Sequence, residues 1–247
     1  MEPHAVEWVW FFTGIGVLVP LIDRAFGSHQ FQKQRAQRIL DHLVREVFGG
    51  DTKQHRLTLY RAVRGYRVWA GLLFHRIWRQ DEKRLAFLSL LRVSPWAWYL
   101  YPWARPKKSI NPYSCAAWRV FRAKKRDCEG AAGLVWQNDT HTVTNVQHAF
   151  SPGELRSIQS FDDYPETHPV RQYAAATNVR EARLLRSRET YSRHFHGMVI
   201  EDSDGVKWGV MLLDSSAYSC PIPDGRKGEL AQDEFRRYAE LLSNILT

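Results

Sequence analysis

Cysteine is scarce in this chain: Cys115, Cys128 and Cys220 are the only three in 247 residues. An odd number at wide spacing excludes a disulfide framework and fits a reducing compartment, and the lack of any Cys-x-x-Cys excludes a zinc ribbon. Internal repeats and low-complexity segments are also missing, and 28.9 kDa suffices for one good-sized domain plus an appendage. Acidic residues are thin in the first half. Residues 1–128 hold 23 of the 35 Lys and Arg and 9 of the 26 Asp and Glu, a balance of +14, whereas residues 129–247 hold 12 and 17, a balance of −5. A basic half of this kind either faces something anionic, phospholipid headgroups or nucleic acid, or is a solvated face. No recognised nucleic-acid motif is present, which disfavours the second partner.

Only one long apolar run exists. Ala5 to Ile22 spans 18 residues, broken by Glu7, Thr13 and two glycines, with Trp8 and Trp10 near its start. As a helix it would measure roughly 27 Å, close to the hydrocarbon thickness of about 30 Å, which predicts a transmembrane helix within residues 1–23. A buried core helix is the competing reading. A signal peptide fits poorly, since no basic n-region precedes the run and no small-residue cleavage site follows it. Arg24, Lys33, Arg35, Arg38 and Arg45 come after it, so the positive-inside rule places the rest of the chain in the cytoplasm as a single-pass protein of the inner (plasma) membrane.

Residues 24–50 read as a linker helix with an apolar stripe at Ala36, Leu40, Leu43 and Val47, ended by Gly49-Gly50. The stripe suits either pairing in a homodimer or packing on the chain's own domain. His55 to Ala62 alternates as a first strand, with Leu57 and Leu59 on one side. Residues 65–95 form a basic, Trp-rich insertion with helical stripes, which in amphipathic form could lie in a headgroup layer or serve as ordinary core faces. Seven of the ten tryptophans fall between Trp8 and Trp103. Trp96 to Trp103 reads as a strand, Trp118 to Asp127 as a helix, Leu134 to Trp136 as a strand, and His168-Pro169 as a helix start leading into Tyr173 to Leu185. Glu229 to Leu246 is the clearest helix, with Leu230, Phe235, Tyr238, Leu241, Leu242 and Ile245 assigned to one face.

The chain is organised around Met198 to Ser215. Asp204-Gly205 predicts a two-residue type I′ turn between two strands, and Gly209 to Leu213 is apolar without alternation, as in a central strand covered on both faces. Gly209 permits a bulge or a close backbone approach there. This hairpin resembles the closing hairpin of GAF domains, the small-molecule-sensing modules of signalling proteins. Glu129-Gly130-Ala131-Ala132-Gly133-Leu134-Val135-Trp136 resembles the family's glycine-bearing junction, and Ser192-Arg193-His194-Phe195-His196-Gly197 the segment leading into the hairpin. The resemblance implies a domain over residues 51–247 of the α+β class, a GAF-like antiparallel sheet flanked by helices.

Carried over by that resemblance, the ligand-binding candidates are Trp136, Asp163, Tyr191, Arg193, His194 and His196, a set whose aromatics, arginine and imidazoles suit an anionic, nucleotide-like small molecule. His194 and His196 alone do not make a metal site, with Asp202 a speculative third ligand. Ser192, His194 and Asp214 are the types used in nucleophilic catalysis, but no nucleophile-elbow pattern accompanies them. The related free methionine-(R)-sulfoxide reductase needs cysteines near its pocket. Cys128 precedes the glycine junction, yet Tyr191 to Gly197 holds none. The bilin-attaching cysteine and the Asn-Lys-Phe-Asp-Glu signature of other relatives are absent too. The expectation is therefore a membrane-anchored sensory or regulatory protein with no catalytic activity and no cofactor. Its alternatives are a membrane effector of a nucleotide second-messenger defence system and a dimerisation module that binds nothing small.

Overall fold

A computed structural model of the chain describes residues 30–50, 54–70, 93–107, 117–121, 128–143, 146, 157–180, 182, 192–217, 219–222 and 226–246. Helix α1 (30–48) is followed by strand β1 (His55–Arg64), β2 (Trp98–Ala104), β3 (Trp118–Val120), helix α2 (Gly130–Asn138), β4 (Thr140–Val143), α3 (Pro169–Ala176), β5 (His194–Glu201), β6 (Lys207–Ser215) and α4 (Arg226–Leu246). The strands form one antiparallel sheet in the order β3-β2-β1-β6-β5-β4. The class is α+β, as expected, and the hairpin β5–β6 stands near its middle.

Alternation along each strand divides the interior into two cores. Leu57, Leu59, Met211 and Leu213 point to the face covered by α1 and α4, where they meet Leu40, Leu43, Phe235 and Leu242. Tyr60, Ala62, Phe195, Val210 and Leu212 point to the other face, beneath Ala132, Val135 and Trp136 of α2 and Val170 and Tyr173 of α3. With both faces covered, β6 has no solvent side, which explains its unbroken apolar run. The α1 stripe is used within the domain: Ala36, Leu40 and Leu43 are fully buried, and His42 Nδ1 bonds the Tyr238 hydroxyl of α4.

Several expectations need correction. The turn between β5 and β6 is not type I′. Gly205 has φ +70° while Asp204 is not among the residues with positive φ, and the Gly205 amide donates to Asp202 O at 3.0 Å. This is a type I turn closed by a left-handed glycine, with Asp202 Oδ1 accepting from the amides of Asp204 and Val206. Gly209 does serve a close approach: a Cβ there would lie 2.0 Å from Tyr60 O. The pairing slips opposite Ile200 and Glu201, and this bulge sets Trp208 against Trp103 at 5.1 Å.

Leu134-Val135-Trp136 is helix, not strand. Ala131 and Ala132 favour the helix, and burying Val135 and Trp136 on the sheet outweighs their strand preference. Trp118 to Val120 is strand, not helix: Trp118 and Val120 are buried, Arg119 is exposed, and the pair Leu100↔Trp118 extends the sheet. The rest of that expected helix, 122–127, lies outside the described residues. The helix opening at His168-Pro169 is as expected, with His168 Nδ1 accepting from the Val170 amide at 3.3 Å. It stops at Ala176, where the Thr177 hydroxyl turns back to Tyr173 O at 2.8 Å. On α4, Leu230 and Leu241 are 60% and 42% exposed, so they do not share the buried face. At 100° per residue they sit about 110–130° from the stripe centred on Phe235 and Leu242.

Among the described residues no helix is long and apolar enough to cross a membrane, and the run at 5–22 lies outside them. The insertion is described only at its ends: 65–70 is a helical segment, and 93–97 leads into β2.

Candidate functional site

Two places on the sheet gather polar chemistry. The first is inside. Arg56 of β1 and Asp214 of β6 stand opposite each other in register on the face beneath α2 and α3, and Arg56 Nε meets Asp214 Oδ2 at 2.9 Å. The second carboxylate oxygen accepts from the Ser192 hydroxyl at 2.7 Å. The Asp214 charge raises the Arg56 pKa above its ordinary value against the opposing effect of burial, with Tyr60 and Tyr173 adding to it. Beside this pair, the buried Arg105 donates from Nε to the Thr58 hydroxyl at 3.0 Å. Burying these charges is tolerated because each meets an oppositely charged or hydrogen-bonding group.

The second place is open. Where β1 passes into the helical segment at 65–70, next to the β5–β6 turn, a cleft of about 230 Å³ is lined by residues that include Arg61, Arg64, Arg67, Trp98, Trp208 and the acid Asp202. The Arg61 guanidinium lies 5.4 Å from the Trp208 ring centre, and that of Arg64 lies 4.5 Å from Trp98. Burial, and then the nearby Arg67 charge, lower the Arg61 pKa. Lys207 reaches the rim but is committed to the Asp139 carboxylate and, at 2.8 Å, to Trp136 O.

The six residues expected to line one pocket do not converge. Tyr191 lies outside the described residues. Trp136 is buried in α2 on one face of the sheet, its Nε1 donating to Phe121 O at 3.2 Å. His194 and His196 alternate to the opposite face, and the His196 ring stands edge-on to Phe235 of α4 at 4.8 Å. His196 Nδ1 pairs with the Thr142 hydroxyl at 2.7 Å while Nε2 is buried without a hydrogen bond, and burial pulls the His196 pKa down to about 4. Asp163 caps an exposed turn, accepting from the Ser160 amide at 3.0 Å. Arg193 is half-buried just before β5, its amide bonded to Ser215 O.

The same alternation separates other candidates. His194 pairs with Ser215 and Phe195 with Asp214, so His194 and Asp214 face opposite sides of the sheet and Ser192 bonds Asp214 directly. A Ser192–His194–Asp214 relay is therefore not assembled. Asp202 turns its carboxylate into its own loop, and among the described residues no group of three or more His, Cys, Asp or Glu could hold a metal ion. Arg56, Thr58 and Arg105, and the trio Arg61, Arg64 and Arg67, were not expected as site residues. The signal for Asp214 was a charge directly after the apolar run of a strand expected to be central, while Arg56 lay in a strand expected only to alternate. The trio at three-residue spacing straddles a strand-to-helix junction and had no periodic pattern to betray it.

The architecture is that of an α+β domain with helices on both faces of a six-stranded antiparallel sheet. No family model matches the chain, and no curated protein matches it. Among solved structures, one that matches is the crystal structure of the A. aeolicus nlh2 GAF domain in an inactive state, at 11% identity and a TM-score of 0.31, covering 89% of this chain and 93% of that one.

Proposed function

We propose that this chain is a GAF-like sensory or regulatory module, tethered to a membrane by residues 5–22, that relays the state of its sheet through α1. The observation that carries the proposal is the placement of α1. It follows the apolar run in sequence, and its Ala36, Leu40, Leu43 and Val44 are embedded against Met211 and Leu213 of the central strand β6. Core packing is close to crystalline in density, so displacement of β6 or α4 is transmitted to α1 instead of being absorbed. Asp41 adds a polar tie, accepting from the Lys107 amide beyond β2 at 3.0 Å.

Burial of this stripe in its own domain means that a homodimer would use a different surface. The module acts by binding and relay, without catalysis, a reading supported by the separation of His194 from Ser192 and Asp214 across the sheet.

Fractionation of cells expressing the full chain tests the anchor. Recovery in membranes after a high-salt wash, with release only by detergent, is expected; recovery in the soluble fraction at low salt would overturn the tethered reading. For the relay, two glycines inserted between Gly27 and Ser28 should leave the domain folded and the chain in the membrane while uncoupling the two. Unchanged output from that variant would remove α1 from the pathway.

A further inference from the structure

We propose that the surface formed by residues 64–69 and 93–96 lies against the headgroup layer of an anionic phospholipid membrane. Where β1 ends, the chain turns into the helical segment at 65–70, which is held on the loop leading into β2. The Gly65 amide donates to Ala97 O at 2.9 Å, the Tyr66 amide to Pro95 O at 3.1 Å and Trp69 Nε1 to Val93 O at 2.8 Å. At 100° per residue, Tyr66, Arg67 and Trp69 fall within about 160° of the helix circumference, with Val68 opposite them. Val68 is fully buried with Val93 and Tyr99, whereas Tyr66 and Trp69 are 51% and 39% exposed and Arg67 is exposed. Trp96 on the adjoining loop is 78% exposed, and Arg64, also exposed, ties that loop to β1 by donating from Nη1 to Trp96 O at 2.7 Å.

The side chains left outward select the partner. Two indoles and a phenol combine an apolar body with a polar edge, the combination that concentrates at the boundary between hydrocarbon and water. Arg64 and Arg67 stand among them, and a side chain of this length lays its stem along apolar surface while its charge meets phosphate. A protein partner would have to desolvate both guanidiniums. Nucleic acid calls for a stripe of cations along its backbone, whereas this surface offers two exposed arginines, with the acid Asp202 in the adjoining cleft. Each arginine near an anionic surface contributes about fivefold in affinity, and Asp202 subtracts from that, so the surface seats a domain already held at the membrane. For that proximity the proposal rests on the tethered reading. Residues 23–29 are all that separate the apolar run from the start of α1, a reach of at most about 28 Å, which presents the bilayer at high effective concentration.

The test is hydroxyl-radical footprinting, read residue by residue by mass spectrometry, of the full chain in nanodiscs of phosphatidylcholine alone and of phosphatidylcholine with phosphatidylserine. Oxidation of Tyr66, Trp69 and Trp96 is expected to fall about twofold or more in the anionic discs, with the exposed Leu230 and Leu241 of α4 unchanged. Arg67→Glu, at an exposed position, should restore the oxidation seen in neutral discs. Equal oxidation in the two kinds of disc, or protection that survives Arg67→Glu, would overturn the proposal. So would protection that appears in detergent without lipid and grows with protein concentration, which assigns the surface to a second copy of the chain. Failure of the tether is read separately, as a chain that alkaline carbonate strips from vesicles. In that case phosphatidylserine vesicles in excess replace the tether, and aromatics left unprotected on them overturn the proposal as well.

Discussion

Removing Asp214 should be among the most damaging single changes available to this domain. Its carboxylate is 6% exposed and holds Arg56 Nε at 2.9 Å and the Ser192 hydroxyl at 2.7 Å, one on each oxygen. Asp214→Ala leaves a guanidinium that is only 23% exposed without its counter-ion, and a hydroxyl without its acceptor. Breaking a buried pair from one side costs about 3–5 kcal/mol. At about 2–4 °C of midpoint per kcal/mol for a domain of this size, Tm should fall by roughly 6–20 °C. The double variant Arg56→Met/Asp214→Leu removes both charges from an apolar face and should recover most of the loss, because the uncompensated charge, not the missing bond, dominates the penalty. Urea unfolding of the full chain in non-ionic detergent, followed by tryptophan fluorescence for the parent, Arg56→Met, Asp214→Leu and the double variant, gives the coupling energy directly. A loss below about 1 kcal/mol for Asp214→Ala, or a double variant no better than the single, would refute the reasoning.

Stability should also depend on pH through His196, whose pKa is about 4 in the fold against 6.5 ordinarily. The unfolded chain binds the proton first, so the contribution is fully present above pH 6.5 and is lost as pH falls from 6.5 towards 4, by up to about 3 kcal/mol. His196→Gln should flatten that slope in urea midpoints measured across the window; an unaltered slope would assign it to other groups. Gly209→Ala brings a Cβ to 2.0 Å from Tyr60 O and should cost about 1–3 kcal/mol or more, read as an earlier urea midpoint. Leu40→Ala, at a fully buried position of α1, should cost about 2–5 kcal/mol. Phe31→Ala on the same helix, 62% exposed, should stay within about 0.5 kcal/mol, and equal losses at the two positions would mean that α1 is not seated as described.

Features that rest on a local pattern with one physical cause were legible in the sequence. The alternation of Leu57 and Leu59, the unbroken run from Gly209 to Leu213, the His168-Pro169 helix start and the Phe235, Tyr238, Leu242 stripe each encode a periodicity or a cap, and each is present in the structure. The three residues of β3 were too short to show a period. Leu134 to Trp136 carried a strand preference that only the burial of α2 on the sheet could override. Tertiary structure alone decided which candidates meet. A strand turns its side chains to alternate faces, so His196 and Trp136, both plausible beside a ligand, ended on opposite sides of one sheet. The registers that set Arg56 against Asp214, and that bring Arg61 over Trp208, come from pairings between residues about 150 positions apart, a distance over which no local pattern carries information.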